Sequence, residues 1–404
     1  MGKDTKHVVV LGIGGAGVKI ANGVSRLNGA ENVMVALADT DQRTLAGSTE
    51  DVIEIPLGKG WNCQHGCGAD MQLGEKATGA AQDDLKELLQ DANLAIVVAG
   101  LGGGTGSGGA RLMARLAQEL AVPVLFVVTL PFAFEGNWRR RQADSALSPL
   151  RDLTDTVIAV QNDLLFNSLP ADTVLDDAFN YADQLLSRAI FGLAGMARAE
   201  WMLSADFTAI KKLLKRQPEI CYVGLGVADS EDRVGRAVEE FAQSPLLGGE
   251  LTMKSAEAAV VTMLTGYQLS VGELKSGLTA LQERFNDNAE VLLGACTSTG
   301  CGNEIQITGL VCCSAENDEK SDEHPQSYEV ADTETGKNLH NEKSNTSRKK
   351  NDRRKPVRDT VQEELPLQEQ SAGMFSGSSP TVFEGENLDI PTFQRRGIKI
   401  EQEI

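Results

Sequence analysis

Seven of the ten residues in Gly100–Gly109 (GLGGGTGSGG) are glycine, and they sit directly behind the apolar run Leu94–Ala99. A helical pattern follows from Ala110 to Leu120. Glycine tolerates positive φ and lets backbone approach phosphate oxygens with no Cβ in the way. Strand, glycine loop and helix start, in that order, aim unpaired N–H groups and a positive helix end at an anion. An ordinary turn needs far less glycine, so Gly102, Gly103, Gly104, Thr105, Gly106 and Ser107 are candidate phosphate-binding residues. A second glycine loop, Gly12-Ile-Gly14-Gly15-Ala16-Gly17, satisfies the GxGxxG spacing of dinucleotide-binding folds, and Asp39 follows the next strand. A nicotinamide-dependent oxidoreductase would use that loop alone and leave Gly100–Gly109 without a role. Two glycine loops imply instead a mononucleotide polyphosphate held from both sides. The absence of a GxxxxGK[ST] sequence excludes the usual P-loop arrangement.

The elements that must position these loops alternate between strand and helix. His7–Leu11, Val33–Ala38, Leu94–Ala99 and Val124–Thr129 read as strands; Val18–Leu27, Lys76–Gln90 and Ala110–Leu120 read as helices. The strands are nearly continuous in aliphatic residues, as expected when helices cover both faces. The implied fold is α/β: a doubly wound, mostly parallel sheet with right-handed crossovers. A long helical segment, about 173–199, follows and is expected to lie between two domains. Strand-like runs (Cys221–Val227, Ala258–Leu264, Val291–Ala295, Ile305–Val311) and helical ones (Arg233–Ala242, Glu273–Asn286) then predict a smaller α/β domain.

Composition bounds the rest. The net charge of −19, from 38 basic and 57 acidic side chains, argues against general nucleic-acid binding and against direct attraction to an anionic membrane. Residues 1–6 carry no apolar signal core, and the apolar stretch around 120–134 is interrupted by Pro123 and Pro131. A soluble, cytoplasmic protein with no direct membrane insertion is expected. Cys63-Gln-His65-Gly-Cys67 could form half a metal site, but the other five of the seven cysteines show no matching half, so no metal held by protein side chains is expected.

At Ser314 the composition turns to Asp, Glu, Lys, Ser, Asn and Gln, a mixture that cannot bury enough surface to offset ordering entropy. This reads as a disordered linker, with a basic cluster at 348–355. The chain then becomes apolar and basic through Leu388–Ile400, the form of a peptide that folds on a partner. The boundaries expected are 1–172 for the nucleotide-binding domain, 173–200 for the central helix, 201–313 for the second domain, 314–387 for the linker and 388–404 for the terminal peptide.

At these residues the sequence resembles the tubulin/FtsZ superfamily, and within it the FtsZ family of bacterial cell-division GTPases. Gly102–Gly108 (GGGTGSG) is similar to the family's signature loop, and Pro131–Gly136 with Arg139 to its PFxFEG…R segment. Asn162-Asp163, Phe179…Ala182-Asp183, Ser244–Leu247 and Leu388–Arg396 match further family segments in order. The resemblance implies GTP and GDP as ligands, with Mg²⁺ carried by the nucleotide. It implies nucleotide contacts from Gly14, Gly15, Ala16, Gly17, Val18 and Lys19 in the first loop, and from Gly68 and Ala69 closing over the terminal phosphate. Glu135 and Arg139 are placed for ribose and phosphate. Asp183 would accept the adjacent N1–H and N2–H₂ donors of guanine. It further implies head-to-tail self-assembly at a mid-cell division site, and an adaptor that tethers filaments to the membrane. That adaptor, with other division proteins, would bind Ile390, Pro391, Phe393, Arg395 and Arg396. Lys19, Asp39 and Ala133 replace residues that are usually Asn in the family, changes expected to alter affinity more than identity.

In the family, hydrolysis needs an acidic loop from the neighbouring subunit. The matching segment here is Leu203–Ala209 (LSADFTA), against a family pattern NxDFAD. Asp206 is retained as the catalytic candidate, while Ser204 and Ala209 depart. A positioned water-orienting group contributes ~10²–10⁴-fold, so slow turnover is expected. A non-hydrolysing paralogue that copolymerises as a scaffold stays open as the alternative.

Overall fold

The computed structural model describes residues 8–30, 33–49, 51–60, 65–90, 92–154, 156–197, 201–203, 220–266, 269–297, 302–314, 382–383 and 386–387. The first six strands are β1 (Val8–Ile13), β2 (Val33–Asp39), β3 (Ile53–Pro56), β4 (Leu94–Gly100), β5 (Val124–Leu130) and β6 (Thr156–Gln161). They lie in the order 3-2-1-4-5-6, all parallel. Helices between and after them are α1 (Gly14–Ser25), α2 (Gln42–Leu45), α3 (Met71–Gly79), α4 (Gln82–Leu89), α5 (Gly104–Leu120), α6 (Asn137–Leu153), α7 (Asn162–Asn167) and α8 (Leu175–Gly195). Because side chains alternate along a strand, Val8 and Val10 enter one core with α1 and α8, while Val9 and Leu11 enter another with α4, α5 and α6. This is the doubly wound, mostly parallel α/β sheet that the alternation of elements predicts.

Strand order reverses between β1 and β4. At such a switch point the crossovers leave in opposite directions, and a crevice opens beyond the carboxyl ends of the strands. Both glycine loops sit there, because α1 follows β1 and α5 follows β4.

Beyond β6 the sheet continues through β8 (Ile220–Ala228), paired with β6 at Ile158 and Cys221, then β11 (Ile305–Cys313), β9 (Ala256–Thr265), β10 (Glu290–Thr297) and β7 (Trp201–Leu203). This part is mixed: β11 runs antiparallel to β8 and β9, and β10 runs parallel to β9. Helices α9 (Arg233–Ala242), α10 (Glu250–Ser255) and α11 (Val271–Arg284) accompany it, and a third core gathers around Phe241, Val261 and Ile307. Helix α8 serves both halves: Ile190 shares a core with Val10 of β1 and Leu310 of β11. At Gly192 it lies so close to β11 that an added Cβ would fall 2.5 Å from the Thr308 Cβ. In the separate unit 328–404, Val382–Phe383 and Glu386–Asn387 form a short antiparallel hairpin.

Several elements differ from the sequence expectation. The helix expected over Lys76–Gln90 is two helices: Asp70 caps α3 by accepting from the backbone of Gln72 and Leu73, and the chain breaks at Ala81 before α4 begins. Helices expected from Val18 and Ala110 start at Gly14 and Gly104, inside the glycine loops. Glycine costs a helix about 1 kcal/mol, so local preference hides these first turns. They form because neighbouring backbone comes too near for side chains: a Cβ on Gly104 would lie 2.6 Å from the Cys67 Cβ, and one on Gly108 would strike the backbone of α3. Strands β3 and β6 and helix α6 are additional elements, and Pro149 inside α6 disguises it as a break.

Candidate functional site

The first turns of α1 and α5 converge on one cavity of about 500 Å³. Each helix begins without a side-chain cap: the residue before α1 is Ile13 and the residue before α5 is Gly103. Neither first turn carries an acidic residue. Their leading N–H groups and the positive ends of two helices, 12 and 17 residues long, therefore remain available to an anion. Positive φ is needed at only one glycine per loop, Gly14 (70°) and Gly102 (91°). Most of the remaining glycines in the two loops serve close packing, where an added Cβ would meet neighbouring atoms.

Gly14, Gly15, Ala16 and Lys19 line the cavity from α1; Gly103, Gly104, Thr105 and Gly106 line it from α5. Gly17 and Val18 lie beneath it. A Cβ on Gly17 would collide with the Val98 carbonyl, so this glycine sets how closely α1 lies on the sheet. Ser107 is buried, and its hydroxyl accepts from the Gly102 N–H at 3.0 Å, closing the turn before α5. Gly68 and Ala69 do not reach the cavity wall; they form a left-handed turn (φ 54° and 64°) leading into α3, next to the start of α5. Cys67, in the same turn, is buried with its sulfur 3.8 Å from the Thr40 hydroxyl, which bonds in turn to Thr105 at 2.8 Å.

The opposite wall comes from β5, the loop after it, and α8. Glu135 and Arg139 both line the cavity and form an ion pair of 2.7 Å, with the Arg139 side chain half exposed. Glu135 also accepts from the Phe132 backbone N–H at 2.9 Å, which fixes its loop. Phe132, Phe166 and Phe179 pack with centroids 4.3–5.5 Å apart, and Phe134 stacks on Phe132 at 4.9 Å. Phe134 remains 68% exposed, offering an apolar face at the cavity mouth. Asp183 projects from the third turn of α8. Burial raises its carboxyl above the usual 3.8, and the nearby Lys19 charge partly offsets this. Thr129 and Leu101 also line the cavity, and they carry no motif; their place at or just beyond the carboxyl ends of β5 and β4, beside the switch point, is the signal that identifies them.

Asp39 does not line the cavity. Its buried carboxylate accepts from the Thr40 N–H (2.7 Å), the Asp41 N–H (3.3 Å) and the Thr44 hydroxyl (2.7 Å), so it braces its own turn. A ribose contact of the dinucleotide-fold type is therefore not what this residue makes. The catalytic candidate Asp206, with Ser204 and Ala209, lies outside the described residues, as do Ile390, Pro391, Phe393, Arg395 and Arg396.

Residues 7–170 match the tubulin/FtsZ family GTPase domain, and residues 220–313 match the FtsZ family C-terminal domain. The chain belongs to the tubulin/FtsZ superfamily, as a divergent member. Among solved structures, it is similar to an empty FtsZ dimer from M. jannaschii, with 28% identity, a TM-score of 0.69, and coverage of 77% of this chain and 89% of that one. It shares the fold of GDP-bound CetZ1 from Haloferax volcanii (20% identity, TM-score 0.63, 76% and 93% covered). It also shares the fold of a GTPγS-bound CetZ2 protofilament from the same organism (22% identity, TM-score 0.59, 78% and 99% covered).

Proposed function

We propose that this protein binds GTP between the starts of α1 and α5, assembles head-to-tail into filaments, and hydrolyses GTP slowly where one subunit meets the next. The observation that carries the reading is two uncapped helix N-termini facing one cavity that also holds the half-buried Asp183. Phosphates suit the helix ends, with Lys19 as a point charge beside them. Gly68 and Ala69 close over the terminal phosphate when a nucleotide is bound. Guanine suits Asp183, since its adjacent N1–H and N2–H₂ donors match an acceptor-only carboxylate, whereas adenine presents an acceptor at N1. The aromatic residues Phe134 and Phe179 supply apolar surface for a base or ribose. Mg²⁺ arrives with the nucleotide, held by phosphate oxygens.

Self-assembly draws support from relatives solved as a dimer and as a protofilament. A heterologous contact repeated by translation gives an open filament, and the terminal phosphate orders loops the next subunit would touch. Asp206 polarises the attacking water from that neighbour. Ser204 and Ala209 favour a second reading, a copolymerising scaffold that hardly hydrolyses. A linker of the composition of 314–387 would, as a coil of ~70 residues, reach on the order of 45–50 Å and present Ile390, Pro391, Phe393, Arg395 and Arg396 to a membrane-tethering adaptor at the division site in the cytoplasm.

Light scattering with phosphate release, run with GTP, GDP, ATP and NAD, tests the whole. GTP-dependent scattering with release supports the GTPase, and scattering without release supports the scaffold. No preference for GTP over the other three overturns the proposal. Asp206→Ala should abolish the release and keep the scattering. Deleting 388–404 should remove membrane recruitment and leave assembly intact.

A further inference from the structure

Cys221 of β8 and Cys312 of β11 stand directly opposite each other in the antiparallel register. Their sulfurs are 3.2 Å apart, one thiol donating to the other, and both residues are buried free cysteines. Opposed residues in an antiparallel pair have Cα atoms about 4.5 or 5.5 Å apart, and both values fall in the range of about 4.4–6.8 Å that a disulfide spans. The strands need not move for a bond to form. Cys313, the next residue, is committed elsewhere: its thiol donates to the Thr252 carbonyl at 3.5 Å and sits 3.7 Å from the Ser255 hydroxyl. Cys221 is also the β8 residue that pairs with Ile158 of β6, where the sheet passes from the GTPase half to the C-terminal half.

We propose that Cys221 and Cys312 form a reversible, oxidant-driven disulfide that staples β8 to β11 at the seam of the sheet. With a peroxide as oxidant, one cysteine sulfur takes an oxygen from H₂O₂ to give a sulfenic acid, and one water leaves. The second thiol attacks that sulfur, the S–S bond forms, and a second water carries away the hydroxyl and the remaining proton. Two thiols lose two electrons in all, and the peroxide gains them. The hydrogen bond with Cys221 and, after it, burial hold the Cys312 thiol well above the usual thiol range, so the reduced pair is quiet. This is a slow structural staple, unlike an exposed low-pKa sensor thiol. Closing a loop across the 91 positions that separate the two residues restricts the unfolded chain and stabilises the fold.

The test uses the full chain, treated either with hydrogen peroxide or with a phosphine reductant, denatured in N-ethylmaleimide, and mapped by mass spectrometry. A peptide pair linking Cys221 to Cys312, two hydrogens lighter and abolished by the reductant, supports the staple. The melting temperature of the protein should rise on the order of 5 °C on oxidation, and Cys221→Ser and Cys312→Ser should each abolish both the link and the rise. Cys221→Ala serves as a second variant if the serine form does not fold, and the wild-type map stands without either. Full N-ethylmaleimide labelling of both cysteines after peroxide, or linkage of Cys221 to Cys313 or between chains, overturns the proposal.

Discussion

Two helices of the C-terminal half and the two helices at the cavity begin differently. In the C-terminal half, Asp232 caps α9 by accepting from the Gly235 N–H, and Ser270 and Glu273 form a reciprocal capping box at α11. In the GTPase half, α1 and α5 start with Ile13 and Gly103 in the capping position, and neither supplies a side-chain acceptor. A cap is worth about 1 kcal/mol, so leaving two ends open gives up stability. Both open ends face the same cavity, while α3, nearby but not part of its wall, is capped by Asp70. Uncapped starts also occur at α4, α6, α7, α8 and α10, so what sets α1 and α5 apart is that both open ends converge on one cavity, where an anion could satisfy them. Sites of this kind are where local rules of folding are expected to be broken.

The largest break in that contrast should come from Asp183→Ala. Two charge-assisted hydrogen bonds to guanine, at about 1.5–3 kcal/mol each, make the expected loss of GTP affinity about 10²-fold or more. ATP affinity should not change, and competition against a fluorescent nucleotide measures both. Equal loss for the two nucleotides would remove Asp183 from base selection. The pH dependence has a defined sign. Burial raises this carboxyl, so its ionised, accepting form disappears at a higher pH than that of an ordinary aspartate. GTP affinity should fall, and ATP affinity should not, as pH drops through that raised value. Stability of the ligand-free protein runs the other way: the native state holds this proton more tightly than the unfolded chain, so stability is lost as pH rises through the native value. Asp183→Asn should therefore raise the melting temperature of the free protein at neutral pH.

Gly104→Val should have a smaller effect on binding and a visible one on stability. Its Cβ would lie 2.6 Å from the Cys67 Cβ and 2.8 Å from the Asp70 carbonyl oxygen, forcing the start of α5 away from the turn beside it. Overpacking of this kind costs about 1–3 kcal/mol, measurable by urea unfolding. Displacing one phosphate-facing helix end should weaken GTP binding by about tenfold, the equivalent of about 1.4 kcal/mol. Unchanged affinity with lowered stability would show that the α5 end is not part of the phosphate wall.

Much of this contrast is legible in the order of residues alone. The alternation of aliphatic strands with helical patterns is enough for a doubly wound sheet, and the two glycine loops mark its switch point. Helix starts within those loops are not legible, because glycine's local preference opposes them and only close neighbours in the fold, Cys67 and α3 at the α5 loop and Gly106 and Val98 at the α1 loop, make them necessary. Asp39 shows the converse failure: its spacing suits a ribose contact, yet Thr40 and Thr44 are close enough in sequence to claim its carboxylate. The phenylalanine cluster is invisible to periodicity, since Phe132, Phe166 and Phe179 come from three separate elements. Lys19 and Asp183, on different helices, meet electrostatically only in the fold.

The smallest expected effect belongs to the capped helix α11, and it sharpens the comparison by control. Ser270→Ala removes the hydroxyl that accepts from the Glu273 N–H at 3.2 Å. It should cost about 1 kcal/mol, a fall in melting temperature of about 2–4 °C, with GTP affinity unchanged. Glu273 is held down to about 2, first by the Arg233 guanidinium and then by the Ser270 backbone and hydroxyl. A lowered carboxyl contributes stability above its ordinary value of 4.5 and loses it as pH falls towards about 2. Part of the cap's contribution runs through that carboxylate, so the gap in melting temperature between wild type and Ser270→Ala should narrow across this acid window. A gap that stayed constant to pH 2 would mean that the hydroxyl acts on the α11 backbone alone, and that Arg233 suffices to hold Glu273 ionised.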